Sequence, residues 1–182
     1  MADYCFSLKE NNVINKIKDG LICCFGNEKP VIICVGTDLA IGDCLGPIVG
    51  TMLYNKNIDA FIYGRLSATV TAKDVAPIKE FVQKAHPKTK TLIIDAAIGQ
   101  KEDVWTIKLS PSPIKPGLGA NKSLPPLGNA NIIGIVAEKS SANYSFLNLT
   151  RLSPVYEMAK TIAAGVGKYF DYLSEEEKRF AL

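Results

Sequence analysis

The sequence predicts an α/β fold in three layers, a mostly parallel sheet with helices on both faces. Three observations carry that expectation. Two short runs, Val31-Ile32-Ile33-Cys34-Val35 and Thr91-Leu92-Ile93-Ile94, have almost no polar positions, as strands covered on both faces require. Around them, apolar residues recur at spacings of three and four, the pattern of helices with one buried face. Strands alternating with such helices form parallel sheets through crossover connections.

Each element follows in order. Residues 8–22 place Val13, Ile14, Ile17 and Leu21 on one stripe and predict a first helix. Pro30 punctuates, and the strand over 31–35 ends at Gly36. Residues 45–54 return to helical spacing through Leu45, Ile48, Val49, Met52 and Leu53. Pro47 falls in the first turn of that helix, where a missing N–H costs little. A second strand is expected over 60–63, and a helix over 71–84, where Val75, Ile78, Phe81 and Val82 share a face. The third strand, 91–95, is apolar until Asp95, where it should end. Residues 104–109 alternate and predict an edge strand; residues 132–137 predict a last buried one. Residues 110–129 hold five Pro and three Gly, which predicts a long structured loop of the kind that often carries function. The last helix should run over 154–172, with Val155, Met158, Ile162, Val166 and Phe170 on one side. The charged run Ser174 to Arg179 reads as a solvated, fraying end. In this reading 1–182 is one domain, residues 1–29 are an N-terminal helical extension and 173–182 a frayed tail.

Composition narrows the function. The chain has 182 residues, 47% hydrophobic and 21% charged, against roughly 150 per domain and unlike disordered or fibrous chains. A net charge of +3, with no basic run of five or more, argues against nucleic acid as a partner. The apolar runs fall far short of the ~20 residues that span a bilayer, and no secretory signal opens the sequence. A cytoplasmic protein without a membrane partner is expected, and the sequons at Asn121, Asn143 and Asn148 are then accidental. Five cysteines crowd the first quarter without a C-x-x-C, and His86 is the single histidine, which fits neither a disulfide framework nor a zinc site.

Ligands in open parallel sheets bind beyond the carboxyl ends of the strands. Two carboxylates stand there: Asp43, in Gly36-Thr-Asp38-Leu-Ala-Ile-Gly-Asp43-Cys44-Leu-Gly46-Pro47, and Asp95, in Asp95-Ala-Ala-Ile-Gly99. Asp38 is a third candidate. A helix start should lower the pKa of Asp43, and desolvation should raise that of Asp95. Carboxyls pushed apart in this way form an acid and base pair of the kind aspartic peptidases use to activate water. Taken singly, each has a bland reading, Asp43 as a helix N-cap and Asp95 as the cap of a loop. The pair on one sheet edge favours chemistry, with Gly36, Gly42, Gly46 and Gly99 letting a substrate approach the backbone.

Other signals are weaker. The glycine spacing is not G-x-G-x-x-G, and Gly117-Leu-Gly119-Ala-Asn121-Lys122-Ser123 has Asn121 where a P-loop needs glycine. Lys122 is a solvated loop lysine unless the loop folds over the cleft to hold a substrate carbonyl or carboxylate. Cys44, near a helix N-terminus, is a candidate nucleophile if its pKa is lowered. His86 precedes strand three, on the wrong edge of the sheet for a Cys–His mechanism. Arg151, at a helix junction, either clamps an anion or pairs with a carboxylate; the second reading is favoured.

The segments Val31 to Pro47, Pro116-Gly-Leu-Gly-Ala-Asn-Lys122, Leu124-Pro-Pro-Leu-Gly128 and Asn148-Leu-Thr-Arg-Leu152 strongly resemble the YyaC-type sporulation proteins. These are relatives, in spore formers, of the germination protease that degrades small acid-soluble spore proteins. The resemblance spans residues 30–170. It implies the phosphorylase/hydrolase-like α/β fold shared with hydrogenase maturation endopeptidases, and a location in the forespore or spore interior. It also implies that Asp43 and Asp95 are the catalytic aspartates and that the loop with Gly117, Gly119 and Lys122 lies near the site. Those endopeptidases set a Glu, an Asp and a His around a metal. Here Asp43 stands at the first position and no histidine follows Asp95, so neither a metal nor another cofactor is expected.

The function expected is that of a metal-independent sporulation peptidase. Asp95, protonated, polarises the scissile carbonyl, and Asp43, ionised, takes a proton from the attacking water, with the reverse assignment left open. Asp38, Gly36, Gly46, Gly99, Gly117, Gly119 and Lys122 are the candidate substrate-binding residues. The partner would be a peptide or small spore protein, and a homo-oligomer is compatible with the sequence. The alternative is an inactive sporulation protein that keeps the cleft to bind a peptide or protein partner.

Overall fold

The computed structural model describes residues 3–114, 126–139 and 150–180. Its elements are β1 (Tyr4–Ser7), α1 (Val13–Phe25), β2 (Val31–Cys34), α2 (Leu45–Asn55) and β3 (Ile62–Tyr63). They continue with α3 (Val75–Ala85), β4 (Thr91–Gly99), β5 (Thr106–Ser110), β6 (Ala130–Glu138) and α4 (Leu152–Phe180). The strands form one sheet in the order β1-β5-β6-β4-β2-β3. The four strands from β6 to β3 run parallel, whereas β5 is antiparallel to β6 and β1 antiparallel to β5.

Alternation along the central strands feeds two separate cores. Ile32, Cys34, Leu92 and Ile94 face α1, α2 and α4, where Ile17, Leu21, Leu45, Leu53, Met158, Ile162 and Val166 complete the larger core. Val31, Ile33, Val35 and Ile93 face the other way and meet Val75 and Val82 of α3. Both faces of β2 and β4 are therefore covered, which is why their sequences lack polar alternation. The architecture is three-layered, as the sequence predicts.

Several boundaries differ from expectation. The 104–109 segment was expected at an edge, yet β5 is internal, because the short β1 pairs with its outer side through Cys5↔Lys108 and Phe6↔Ile107. Strand β4 does not end at Asp95: it continues to Gly99 along β6, with an irregularity between Ala97 and Ile98. The second strand is shorter than expected, only Ile62 and Tyr63. Helix α4 does not fray at the charged run but continues to Phe180. Leu173 remains buried there, Lys29 pairs with Glu177 at 2.6 Å, and Arg179 pairs with Glu176 at 2.6 Å.

The register explains the geometry near the candidate acids. Cys34 lies beside Ile94, and the Val35 N–H donates to the Ile94 carbonyl at 2.7 Å. Beyond that rung β2 ends while β4 runs on with β6. Asp95 therefore sits inside its own strand but at the place where its neighbour stops.

Candidate active site

The chain leaving β2 turns through residues 37–41 and enters a 3-10 turn, Gly42–Cys44, that runs directly into α2. The turn closes on itself by backbone hydrogen bonds. Thr37 N–H donates to the Asp43 carbonyl at 3.2 Å, Asp43 N–H to Ala40 at 3.0 Å and Cys44 N–H to Ile41 at 3.4 Å. Thr37 Oγ1 accepts from Leu39 N–H at 3.3 Å. Asp43 is thus fixed at the base of a pinned loop beside β4.

Asp95 is 7% exposed. Its Oδ1 accepts a hydrogen bond from the Ala96 N–H at 2.8 Å. Burial pushes its pKa well above the ordinary carboxylate range, the negative charge of Asp43 pushes it further, and the Ala96 N–H only partly opposes them. The charge of Asp43 thus acts on Asp95, although the two acids are far apart in sequence.

Asp43 is half-buried. The helix start was expected to lower its pKa, and the structure overturns that. Burial is the larger effect and raises it, with the Thr37 N–H pulling the other way. The physical reason is placement: the N-cap of α2 is Cys44, not Asp43, and no side chain caps the helix. Both acids are consequently raised, Asp95 more strongly than Asp43.

The remaining candidates separate. Asp38 is exposed in the turn. Gly36 and Gly46 do not open toward a ligand. A Cβ on Gly46 would stand 2.1 Å from the Val35 carbonyl oxygen, and one on Gly36, at φ +143°, would stand 2.0 Å from the Asp43 carbonyl oxygen. These glycines let the start of α2 seat directly on the end of β2, so the space assigned to substrate is filled by backbone. Gly99 likewise packs at the strand end, where a Cβ would stand 2.8 Å from Ile135 Cγ2 and its carbonyl accepts from Lys139 N–H at 2.7 Å. Gly117, Gly119 and Lys122 lie outside the described residues, as do the asparagines of the three sequons.

The thiol candidate changes character. Cys44 is buried, its Sγ donates to the Ile41 carbonyl at 3.0 Å, and burial together with the Asp43 charge raises its pKa. A raised thiol is a poor nucleophile, so the expected activation by the helix is overturned. His86 pairs its Nε2 with Tyr63 Oη at 2.9 Å and packs against Phe61, ring centroids 4.3 Å apart, at the amino end of β4. These contacts give it a structural role there. Arg151 is exposed just before α4.

Sequence reasoning missed Thr37, whose backbone N–H steadies Asp43, because backbone donors leave no residue-type signal. It also passed over Leu39 and Ile41, which are 89% and 37% exposed in the loop above Asp43. Their signal was present as two large apolar residues inside a polar turn. Among the described residues, no group of three or more His, Cys, Asp or Glu side chains is placed to hold a metal ion. Nor is any described helix long and apolar enough to cross a membrane.

Comparison with known proteins adds the lineage. Over 137 residues the chain is 36% identical to the "Uncharacterized protein YyaC" of Bacillus subtilis (strain 168), covering 75% of this chain and 67% of that protein. The family described as "Protein of unknown function (DUF1256)" matches residues 5–165, which include both acids and most of the sheet and helices around them. With a match of that extent, the chain belongs to the DUF1256 family.

Proposed function

We propose that this protein is a metal-independent peptidase in which Asp43 and Asp95 activate water. The observation that carries the reading is the pair itself: the charge of Asp43 acts on Asp95, and burial raises both carboxyls, Asp95 more strongly. Groups coupled in this way hold one proton between them over a broad pH range. The stronger burial of Asp95 assigns the proton to it and leaves Asp43 ionised. Ala96 N–H occupies Oδ1 of Asp95, so Oδ2 is the oxygen that carries the proton.

In the reaction, Asp43 accepts a proton from water as the water oxygen attacks the scissile carbonyl carbon. Asp95 Oδ2–H donates to the carbonyl oxygen, which becomes a hydroxyl of the tetrahedral intermediate. Collapse breaks the C–N bond; Asp43 delivers its proton to the leaving amine, and Asp95 recovers one from the hydroxyl as the new carboxyl forms. The pair returns to its starting state without covalent attachment to substrate.

The resemblance to the germination protease supplies the proposed context. The substrate is a small acid-soluble spore protein or a peptide from one, and the setting is the cytoplasm of the forespore or spore. The same resemblance offers Gly117, Gly119 and Lys122 as further substrate-binding residues, with Asp38 beside them in the reading. The test is to incubate the purified protein with an acid-soluble spore extract and read the products by mass spectrometry. New fragments that vanish with Asp43→Asn and with Asp95→Asn are expected. Full cleavage by either variant would remove the mechanism, and retention of a partner without fragments would favour a binding protein.

A further inference from the structure

Exposed apolar side chains are ordinary when scattered singly. Leu39 and Ile41 are not scattered: they stand two residues apart on a loop whose far end is Asp43. That loop is closed by the hydrogen bonds of Thr37, Leu39, Asp43 and Cys44. Leu39, at 89% exposure, contributes almost nothing to either core, and Ile41 is 37% exposed. The fold therefore leaves Leu39 almost wholly and Ile41 partly exposed, on a braced backbone, in the loop that ends at Asp43.

The geometry points to Leu39 and Ile41 as a specificity subsite that grips a bulky aliphatic side chain of a peptide substrate. This rests on the peptidase reading for its position but not for its binding chemistry. Reach limits where the gripped residue lies. Leu39 and Asp43 are four positions apart, and an extended chain spans at most ~3.6 Å per residue, so the loop cannot place the Cα of Leu39 more than about 14 Å from that of Asp43. That is about four residues of an extended peptide. The subsite thus reads a side chain within about four residues of the cleaved bond. Asp38, exposed in the same loop, disfavours an acidic side chain there.

The probe is a set of decapeptide pools, fluorescein-labelled, with one central position fixed as Leu, Ala or Lys and the others randomised. The wild-type protein should cleave and bind the Leu pool in preference to the others. Leu39→Ser with Ile41→Ser should lower kcat/KM on the Leu pool about 10- to 100-fold, the range that a lost apolar contact in a pocket commands. The Ala pool should lose far less, and the melting temperature of Leu39→Ser alone, at a side chain 89% exposed, should hold. Leu39→Met should keep the preference. Equal loss on every pool, or an unchanged preference in the double variant, would overturn the subsite.

A second arm separates the two readings. Fluorescence anisotropy of each pool is measured with the Asp95→Asn protein, which should bind without cutting. If the wild type cuts nothing but the Leu pool binds in a Leu39-dependent way, the peptidase reading falls and the subsite stands. If no pool binds, or all bind alike, the subsite falls whatever the cleavage result.

Discussion

At Asp95 a carboxyl is held where its ionisation is unfavourable, with one N–H donor, at 2.8 Å, among the described residues. Its folded-state pKa lies above the ordinary unfolded value near ~3.9. Between those two values the folded chain binds more protons than the unfolded one, so stability falls as pH rises through that window. Below about pH 4 the difference disappears. Asp95→Asn should therefore raise Tm at pH 7, by about 2–4 °C for each kcal/mol relieved, and lose the advantage as the pH approaches 4. Thermal melts over a pH series check this; an unchanged Tm at pH 7 would show that the ionised carboxyl is fully compensated. Activity should move oppositely. Each of Asp43→Asn and Asp95→Asn should cut kcat/KM at least about 100-fold, the usual scale of a general acid or base. The wild-type rate should fall at high pH, as Asp95 loses its proton, and at low pH, as Asp43 gains one. The burial of Asp95 was legible from its position at the end of an apolar run. The pKa direction at Asp43 was not, because the N-cap position of α2 belongs to Cys44.

Elements with their own strong pattern were readable, and those defined by a partner were not. β1 is four residues, and its strand character comes from pairing with β5. The extension of β4 through Ala96, Ala97, Ile98 and Gly99 has little intrinsic strand preference; β6 imposes it through continuous pairing. The end of α4 looked prone to fray by composition; its side chains from Ser174 on are largely exposed, yet the helix continues to Phe180, with Glu177 paired to Lys29 and Arg179 to Glu176. Tyr169 shows the same dependence on partners: it is fully buried, and its Oη donates to the carbonyls of Gly26 at 3.1 Å and Glu28 at 2.7 Å. It ties α4 to the chain between α1 and β2. Tyr169→Phe should cost about 1–3 kcal/mol, the price of leaving buried acceptors without a donor, measured as a lower urea midpoint at constant m. Gly46→Ala should destabilise by at least about 1–3 kcal/mol, as overpacking does, because the new methyl meets a carbonyl and not a flexible side chain.

Across the whole molecule the two helical layers are unequal. One face of the sheet carries α1, α2 and α4 over a continuous core, and α3 stands on the other. The layered class was legible because β2 and β4 are apolar on both faces. The strand order was not, since nothing in the sequence says that β5 reverses beside β6 or that β1 closes the edge. Local stability should follow this layout. Native-state hydrogen exchange should be slowest at the amides of β2, β4 and β6 and fastest at the edge strands β1 and β3. Fast exchange in β4 would contradict a rigid platform beneath Asp95.

Gly46 rests on the carbonyl of Val35, the residue just past β2. Because main chain rests on main chain there, the turn that bears Asp43 inherits its position from the scaffold, and its backbone should shift little when the side chains around it are changed.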